Sequence, residues 1–466
     1  MYLPTECHCT IQQLIVKEKE SVLKIVSTEK RYSEGSPFIV YIIQTKNMKQ
    51  VKRRYSEFES FRNFLIRLFP VLLIPPIPEK HSLVEYTYKD NNDMSMIDKR
   101  KRMLGRFLSR IIVHPVLSQE HIFHRFIYGT ESWIDIVQSS PLTELSRDPL
   151  MFFDITSIVS PSVIPIPSSS YILKHPHQGF EALEIKMNKT FQDKGYKLDQ
   201  SQKRILKRLS DLSSDYSDLG SGYNALSLYE PYGLLSSFIE KLGQVIDDTC
   251  ANTRDMTRLL ESECSERIQD YAHYNQITQQ ALRYRRMKQA QLELIEETLG
   301  LKESMLVQAL QRREEWVSQT FETEQDDFLD TESIEDDFAV VIKQDVNKVP
   351  MEEIYEYPES ATQSVLRASK EQAKKWSSTH KLLSAVSLTF QGMLDGDPEQ
   401  TRHNQITKLQ NTIYELKEAK ETTCRDLIEM SDMLIQDIQR VRELQDAELK
   451  SVLVSFAKIH LNYCEQ

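Results

Sequence analysis

The sequence lacks the features that mark membrane-spanning and secreted proteins. No apolar run approaches the ~18 consecutive residues that a membrane-spanning helix requires. The first ten residues contain neither a basic start nor an apolar stretch, so we expect no secretory signal. The six cysteines are sparse and form no CxxC pair, which favours a reduced, cytosolic protein. The Cys7-His8-Cys9 cluster has no second ligand pair, so we expect no metal and no other cofactor, and any membrane contact should be peripheral.

Motifs of the common enzyme classes are missing as well. The sequence has no GxxxxGK loop, HExxH pair, nucleophile elbow or kinase motif set. His121 and His124 share a helical segment, where packing is a better explanation than metal binding. A nucleic-acid partner would require a broad basic stripe, whereas the chain outside one basic segment is near neutral or acidic. We therefore predict that the protein is not an enzyme and binds no nucleic acid.

The net charge of -11 is unevenly distributed. Residues 322–359 carry fourteen acidic and two basic side chains, or -12, so the rest of the chain sums to +1. Residues 46–106 hold fourteen Lys or Arg against seven Asp or Glu, or +7. The acidic segment therefore offsets the charge of a basic region in the net total. The basic region indicates an anionic partner. The acidic segment has few apolar residues, and its composition predicts disorder.

The first 130 residues have the pattern of a mixed α/β domain. Three β-rich runs come first, the first two separated by a loop-like Glu-Gly-Ser-Pro sequence; they are Leu23–Ser27, Phe38–Gln44 and Val51–Tyr55. Apolar residues at helical spacing predict a helix that contains Phe58 and Leu68 and stops before Pro70. A proline-rich stretch, predicted to be extended, precedes a second helix that ends near His114.

Basic motifs occur on three of these elements. Arg53, Arg54 and Tyr55 end a strand; guanidinium groups match phosphate oxygens, and a tyrosine ring offers an apolar face to a sugar-like ring. Taken alone, this motif is equally well explained as a solvated strand edge beside a core tyrosine. Lys80 follows the proline-rich stretch, and a basic cluster that starts at Arg100 opens the second helix. Three basic points on separate elements suit a polyanionic headgroup.

In this order, RRYSEF, a proline-rich PxxPxK loop and RxxxLxxFL resemble the signature of the PX domain, a phosphoinositide-binding module, over about residues 14–130. The resemblance implies that Arg54 binds the 3-phosphate and that Tyr55 stacks under the inositol ring. It also implies that Lys80 contacts the 1-phosphate and Arg100 the inositol hydroxyls, with Arg102 as the alternative to Arg100. The loop between the last two motifs would enter the bilayer or pack back on the domain; its apolar residues are Leu83, Val84, Tyr86, Met94 and Met96.

The rest of the chain reads as a linker followed by long helices. Residues 133–176 are broken by prolines and serines. Residues 405–463 contain neither proline nor glycine, and their apolar residues follow a 3-4 spacing that predicts a coiled coil. After a PX domain, these helices resemble the BAR half, residues 177–466, of a PX-BAR sorting nexin. The fungal autophagy-linked branch is the most similar, because its BAR domain carries an insertion where the acidic segment, about 321–362, lies here.

The predicted fold is therefore an α+β PX domain followed by an all-α BAR domain, a long antiparallel three-helix coiled coil that dimerises. We expect the apolar stripe of the last helix, which includes Leu427 and Leu434, to require a second chain. Phe180, Leu183, Met187 and Phe191 form a shorter stripe, either on a membrane-surface helix or at the start of the first BAR helix. Basic residues on the long helices are candidates for lipid contact: Arg283, Arg285, Arg286, Lys288, Lys370, Lys374, Lys375 and Lys381.

The resemblance implies a curvature-sensing protein that binds phosphatidylinositol 3-phosphate. It would move between the cytosol, the endosome membrane and the autophagosome assembly site. Its expected roles are the return of membrane cargo from endosomes to the Golgi and selective autophagy, as a heterodimer with a second PX-BAR sorting nexin or as a homodimer. The alternative is a coiled-coil scaffold whose lipid binding is absent or incidental. The acidic insertion would either repel anionic lipid or be a tolerated loop without a role.

Overall fold

A computed structural model describes residues 23–33, 36–45, 50–79, 90–128, 131–139, 142–144, 150, 163–190, 195–323 and 398–465. The chain divides into two compact units. The first unit comprises Met1–Asp154, Pro176–Arg286 and Ile428–Gln466, and the second comprises Ile155–His175 and Met287–Leu427. None of the described helices has an apolar stretch long enough to cross a membrane. The acidic segment lies almost entirely outside the described residues.

The N-terminal α/β domain begins with a three-stranded antiparallel sheet in the order β1-β2-β3. The strands are β1 (Leu23–Ser33), β2 (Ser36–Thr45) and β3 (Gln50–Arg54), and a bulge shifts the β1–β2 register between Ile25 and Ser27. The three β-rich runs of the sequence are therefore strands, except that Tyr55 already belongs to the following helix.

Four helices complete this domain: α1 (Tyr55–Leu68), α2 (Asp90–Val113), α3 (His121–Tyr128) and the short α4 (Trp133–Val137). Single 3-10 turns occur at Leu117–Gln119 and Leu142–Glu144. Helix α1 buries the apolar positions that the sequence predicts and ends before Pro70. His124 is buried and its Nε2 lies 2.8 Å from the carbonyl oxygen of Ser118, which is a packing role.

Aromatic rings fill the core of the α/β domain. Phe61 stacks on Phe126 with 4.5 Å between ring centroids, and Phe58 meets the same ring edge-on at 5.0 Å. Trp133 packs edge-on against Phe126 at 5.2 Å, and Leu142 belongs to the same buried cluster. The core therefore extends past residue 130, and the stretch predicted to open the linker at 133 is part of the folded domain.

From residue 163 onward the described chain is helical apart from residues 163–177 and the short connection 230–232. Helix α5 (Gln178–Thr190) is followed by α6 (Tyr196–Tyr229) and α7 (Gly233–Leu260), which fold back on each other. A π turn at Glu261–Ser265 joins α7 to α8 (Glu266–Thr323), and the last helix is α9 (Pro398–Glu465). The long helices expected from the scarcity of proline and glycine are thus present. Their sequences contain no interior proline to break the hydrogen-bond ladder.

The small residues of α6 face α7. Ser213, Gly220 and Ser227, spaced by seven residues, are buried. A Cβ atom on Gly220 would stand 2.2 Å from Asp247 Oδ1, so a larger residue would displace the Asp247 carboxylate.

In the second unit, the linker segment lies along α8. The Glu293 carboxylate accepts hydrogen bonds from the backbone N–H groups of Lys174 (2.9 Å) and His175 (3.0 Å). The Tyr171 hydroxyl bonds both Glu293 and Glu297. Part of the proline- and serine-rich stretch is therefore fixed by defined hydrogen bonds to a helix.

Two expectations about apolar stripes are wrong. Most of the stripe of α9 is buried within the single chain, with Leu434 and Leu416 fully inaccessible and Leu427 half-buried, so it does not require a second chain. On α5, Phe180 and Met187 are also buried: Arg285 lies 3.9 Å from the Phe180 ring centroid, and Arg442 donates to the Met187 sulfur. The helix α5 is accordingly not an exposed membrane-surface helix. Phe191 lies outside the described residues.

Candidate functional site

The site begins where β3 meets α1. Side chains alternate along β3, so Arg53 points into the domain and Arg54 points to solvent. The Arg53 guanidinium donates to the carbonyl oxygens of Phe126 (2.9 Å) and Arg125 (3.2 Å). Burial lowers the pKa of Arg53 below its ordinary value, although the group remains charged at neutral pH. The two arginines of the motif thus have different roles, and Arg53 is a structural residue.

Arg54 and Tyr55 are placed by the first turn of α1. The Glu57 carboxylate accepts the Arg54 backbone N–H at 3.2 Å and so caps the helix. The exposed Arg54 guanidinium lies 3.4 Å from the centroid of the Phe38 ring on β2. Its charge is therefore held at the surface by a neighbouring strand, one residue from the Tyr55 ring.

Tyr55 and Arg100 meet at this position. The Arg100 guanidinium lies 4.9 Å from the centroid of the Tyr55 ring, within the range of a cation–π contact. The Tyr55 hydroxyl donates to the Pro78 carbonyl oxygen. Burial raises the pKa of Tyr55 well above its ordinary value, with a smaller contribution from the charge of Glu59, so the hydroxyl stays protonated as a donor. The structure thus places Arg100 on the Tyr55 ring, whereas the guanidinium of the neighbouring Arg54 lies on Phe38.

The segment that carries the proline-rich motif, residues 71–79, is called the proline segment below. It is nearly all buried, and Arg62 on α1 donates to the Pro75 carbonyl oxygen at 2.9 Å. Lys80, the predicted 1-phosphate contact, lies outside the described residues, as do Leu83, Val84 and Tyr86. Met94 on α2 is 65% exposed, whereas Met96 is half-buried.

A second face of α2 binds the helical region. Arg102 donates to the buried Glu266 carboxylate through Nε (3.1 Å) and Nη2 (2.6 Å). Arg106 contacts both Glu266 (3.0 Å) and Asp270 (3.1 Å). Arg110 continues the row to Asp270 (3.1 Å) and to Glu448 on α9 (2.7 Å). Part of the positive charge that sequence analysis assigned to an external anionic partner is therefore neutralised within the chain.

Sequence reasoning missed this interface, although one signal for it was present. Arg102, Arg106 and Arg110 recur every four residues, which places them on one helical face. Their acidic partners lie about 160 residues or more away along the chain, so the pattern gives no indication of what the face contacts.

Two of the basic residues proposed for lipid contact on the helices are buried instead. Arg285 donates to Ser431 Oγ at 3.1 Å, and burial lowers the pKa of Arg285 to about 10. Lys288 is almost inaccessible. Arg283 and Arg286 are exposed, and Arg286 lies 3.7 Å from Glu184. Four further candidates, Lys370, Lys374, Lys375 and Lys381, lie outside the described residues.

Comparison with known proteins identifies the α/β domain. The sequence model of the PX domain family matches residues 41–129. A designed CISK-PX domain solved by X-ray crystallography is 28% identical; the match covers 22% of this chain and 96% of that one, with a TM-score of 0.20. The match to the family model makes the chain a PX-domain protein, and a long helical region follows the domain.

Similarity over nearly the whole chain identifies its family within the PX-domain proteins. Sorting nexin-41 of Yarrowia lipolytica is 32% identical over 95% of this chain and 76% of that protein. Sorting nexin-41 of Cryptococcus neoformans is 30% identical over 92% of this chain and 67% of that protein. Autophagy-related protein 20 of Gibberella zeae is 26% identical over 98% of this chain and 84% of that protein. The chain belongs to the PX-domain sorting nexins, in the fungal branch that these proteins represent.

Proposed function

We propose that this chain binds phosphatidylinositol 3-phosphate through Arg54, Tyr55, Lys80 and Arg100. It would act as a peripheral, curvature-sensing sorting nexin in trafficking and autophagy, and as a binding protein rather than an enzyme. The observation that carries the proposal is the contact of the buried Arg100 with the half-buried Tyr55 ring, which follows the exposed Arg54 in the sequence of a PX domain. A guanidinium at the surface suits a phosphate, and the Tyr55 ring with Arg100 over it suits the edge and hydroxyls of a polyol ring.

The geometry favours Arg100 over Arg102 as the second arginine of the site. Arg102 already makes a bidentate bond to Glu266, and withdrawing it to meet a lipid would leave a buried carboxylate with fewer partners. Arg100 faces the Tyr55 ring instead. The headgroup would therefore approach the side of α2 that carries Arg100 and packs on Tyr55, not the side that carries Arg102.

We further propose that the protein dimerises through α6 and α7, with a second PX-BAR sorting nexin or with itself. Five apolar residues recur every seven positions along α6, each between 40% and 54% exposed in the single chain; they are Leu198, Ile205, Leu212, Leu219 and Leu226. Helix α7 adds a shorter exposed row at 3-4 spacing, namely Leu235, Phe238, Leu242 and Val245. A heptad stripe of this length fits a partner helix, since isolated apolar stripes in water are unfavourable.

Dimerisation explains why a PX domain and a coiled coil occur in one chain. Two headgroup sites on one particle make the second contact intramolecular, which raises avidity without any new bond. The endosome membrane, where retrieval of cargo toward the Golgi begins, and the autophagosome assembly site are the proposed places of action. The names of the relatives, sorting nexin-41 and autophagy-related protein 20, support these two pathways.

Substitution of Arg54 by alanine tests the headgroup site. Losing a charge-assisted phosphate contact should weaken binding to phosphatidylinositol 3-phosphate liposomes by roughly ten- to a hundredfold. The matched control is Lys24→Ala, which removes one exposed charge at the other end of the sheet, where Lys24 pairs with Gln44. Sedimentation with liposomes of each monophosphorylated phosphoinositide measures affinity and specificity together. Equal binding by Arg54→Ala and the unmodified protein would overturn the role of Arg54, whereas no specific binding by the unmodified protein would favour the scaffold alternative.

A further inference from the structure

One carboxylate of the last helix is bound to the base of the proline segment. Asp437 on α9 accepts the buried backbone N–H of Leu73 through Oδ2 at 2.7 Å. Its other oxygen, Oδ1, lies 3.1 Å from Nε2 of His114 at the end of α2 and 2.7 Å from Nε of Arg440. Asp437 thus joins the proline segment, α2 and α9 at a single buried point.

The protonation states at this point follow from the donors. Nδ1 of His114 accepts the backbone N–H groups of Val116 and Leu117, each at 3.1 Å, so the imidazole proton sits on Nε2 and is donated to Asp437. Burial alone would raise the pKa of Asp437, but the bonds from His114 and Leu73 and the charge of Arg440 hold it below its ordinary value. Asp437 therefore acts as a carboxylate that accepts from three donors.

From Leu73, the connection to the headgroup site is short and stiff. The proline segment contains Pro75, Pro76 and Pro78, whose fixed φ angles let a displacement at one end reach the other. Arg62 bonds the Pro75 carbonyl oxygen, and Pro78 accepts the Tyr55 hydroxyl. A shift at Leu73 is thus passed to the ring over which Arg100 lies.

We propose that Asp437, although it belongs to the last helix, is a positioning residue of the PX headgroup site. The inference rests on the proposed function. The helical region is then part of the lipid-binding machinery, because it supplies the acceptor that fixes the proline segment and, through it, Tyr55. Packing supports the same contact: Met433, one helical turn before Asp437, touches the core of the α/β domain.

The isosteric change Asp437→Asn is a sharp probe. An amide has one acceptor oxygen and one NH2 donor, so one orientation sets a donor against Leu73 N–H and the other sets it against His114 and Arg440. Neither orientation preserves the three bonds. Asp432→Asn, an exposed change on the same helix, is the matched control for charge.

The experiment uses the full chain and two measurements. A short-chain, soluble phosphatidylinositol 3-phosphate is titrated by calorimetry, because it reports the headgroup site without bilayer contact or avidity. Hydrogen exchange is followed in a peptide spanning the proline segment, in which the three prolines contribute no amide protons. For Asp437→Asn we expect affinity about three- to tenfold weaker and faster exchange at Leu73. Asp432→Asn should change neither quantity.

A double-mutant cycle with Tyr55→Phe separates positioning from general destabilisation. If Asp437 acts through the proline segment, its effect on affinity should shrink once the Tyr55 hydroxyl is gone, whereas global weakening would leave it unchanged. Should Asp437→Asn fold poorly, Tyr55→Phe alone must speed exchange at Leu73 or the proposal fails.

The outcomes distinguish this inference from the function on which it rests. Loss of binding for Arg54→Ala with full affinity for Asp437→Asn overturns the positioning role and leaves the headgroup site in place. No headgroup binding by the unmodified protein overturns both. Weaker binding with unchanged exchange at Leu73 also refutes the inference, because the proposed route passes through that amide.

Discussion

The ion-pair row between α2 and α8 allows a quantitative test of what holds the PX domain on the helices. The Glu266 side chain is fully buried and accepts bonds from Arg102 and Arg106, whose side chains are 41% and 22% exposed. In Glu266→Gln one oxygen remains as an acceptor, while the new NH2 group faces an arginine donor. The change keeps the volume of the side chain and removes the charge.

The expected cost follows from burial. Removing one partner of a fully buried ion pair costs roughly 3–5 kcal/mol, because the remaining charge stays in a poorly solvated position. Here the two arginines reach solvent in part and recover some hydration, so we expect a loss of about 2–3 kcal/mol in the free energy of unfolding. The neighbouring pair Lys99–Glu261, 3.0 Å apart, has side chains 30% and 36% exposed. Glu261→Gln should therefore cost about 0.5 kcal/mol.

Urea unfolding of the full chain measures the free energy of unfolding of both variants. The transition is followed by tryptophan fluorescence, because Trp133, one of the three tryptophans, lies in the PX core. Repeating the titration at high salt adds a second criterion, because salt screens the exposed pair and leaves the buried one nearly unchanged. Equal losses for Glu266→Gln and Glu261→Gln, or a loss below about 0.5 kcal/mol for Glu266→Gln, would refute the argument that burial makes this row a main contributor to docking.

Two further predictions concern assembly and pH. Leu212→Glu with Leu219→Glu should convert the dimer to a folded monomer by light scattering, whereas Ser210→Glu, on the opposite side of α6, should remain dimeric; a monomeric unmodified protein would contradict the proposed interface. Burial lowers the pKa of His114, so its neutral form stabilises the fold above its unfolded pKa of about 6.5 and this contribution is lost as pH falls below that value. The midpoint temperature of thermal unfolding should therefore decrease as the pH is lowered from 7.5 to 5.5, and it should decrease less in His114→Gln. The pKa of Asp437 is also lowered, so Asp437 adds a loss of stability only at pH values below about 4.

Sequence patterns predicted the local structure well. Strand and helix positions in the PX domain follow from short-range alternation and helical spacing, which depend on neighbouring residues. The grouping of Arg54, Tyr55 and Arg100 came from a resemblance to a family, not from periodicity. The choice between Arg100 and Arg102 required knowledge of what lies on each side of α2, and the sequence of α2 does not contain it.

Long-range partners account for the remaining errors. The apolar spacing of α9 predicts burial but does not identify the partner, and most of the stripe is buried within the same chain. The heptad of α6, which the sequence analysis does not single out, is the stripe that stays exposed. Nearby prolines predict a linker that starts at Trp133, yet its ring packs on Phe126. Asp437 gave no local signal at all.

Helix α2 determines how the PX domain and the coiled coil can cooperate. Arg100 faces Tyr55, while Arg102, Arg106 and Arg110 face α8 and α9, so one helix carries both the proposed lipid contact and the docking contact. A flexible tether would spread the headgroup site over many orientations and dilute the second contact of a dimer. A docked PX domain instead presents its site in one orientation relative to the helices that bind it, and such preorganisation lowers the entropy lost on binding. Under the proposed function, the buried acids of α8 would contribute to membrane affinity without touching lipid, since they hold the domain that carries Arg54 and Tyr55.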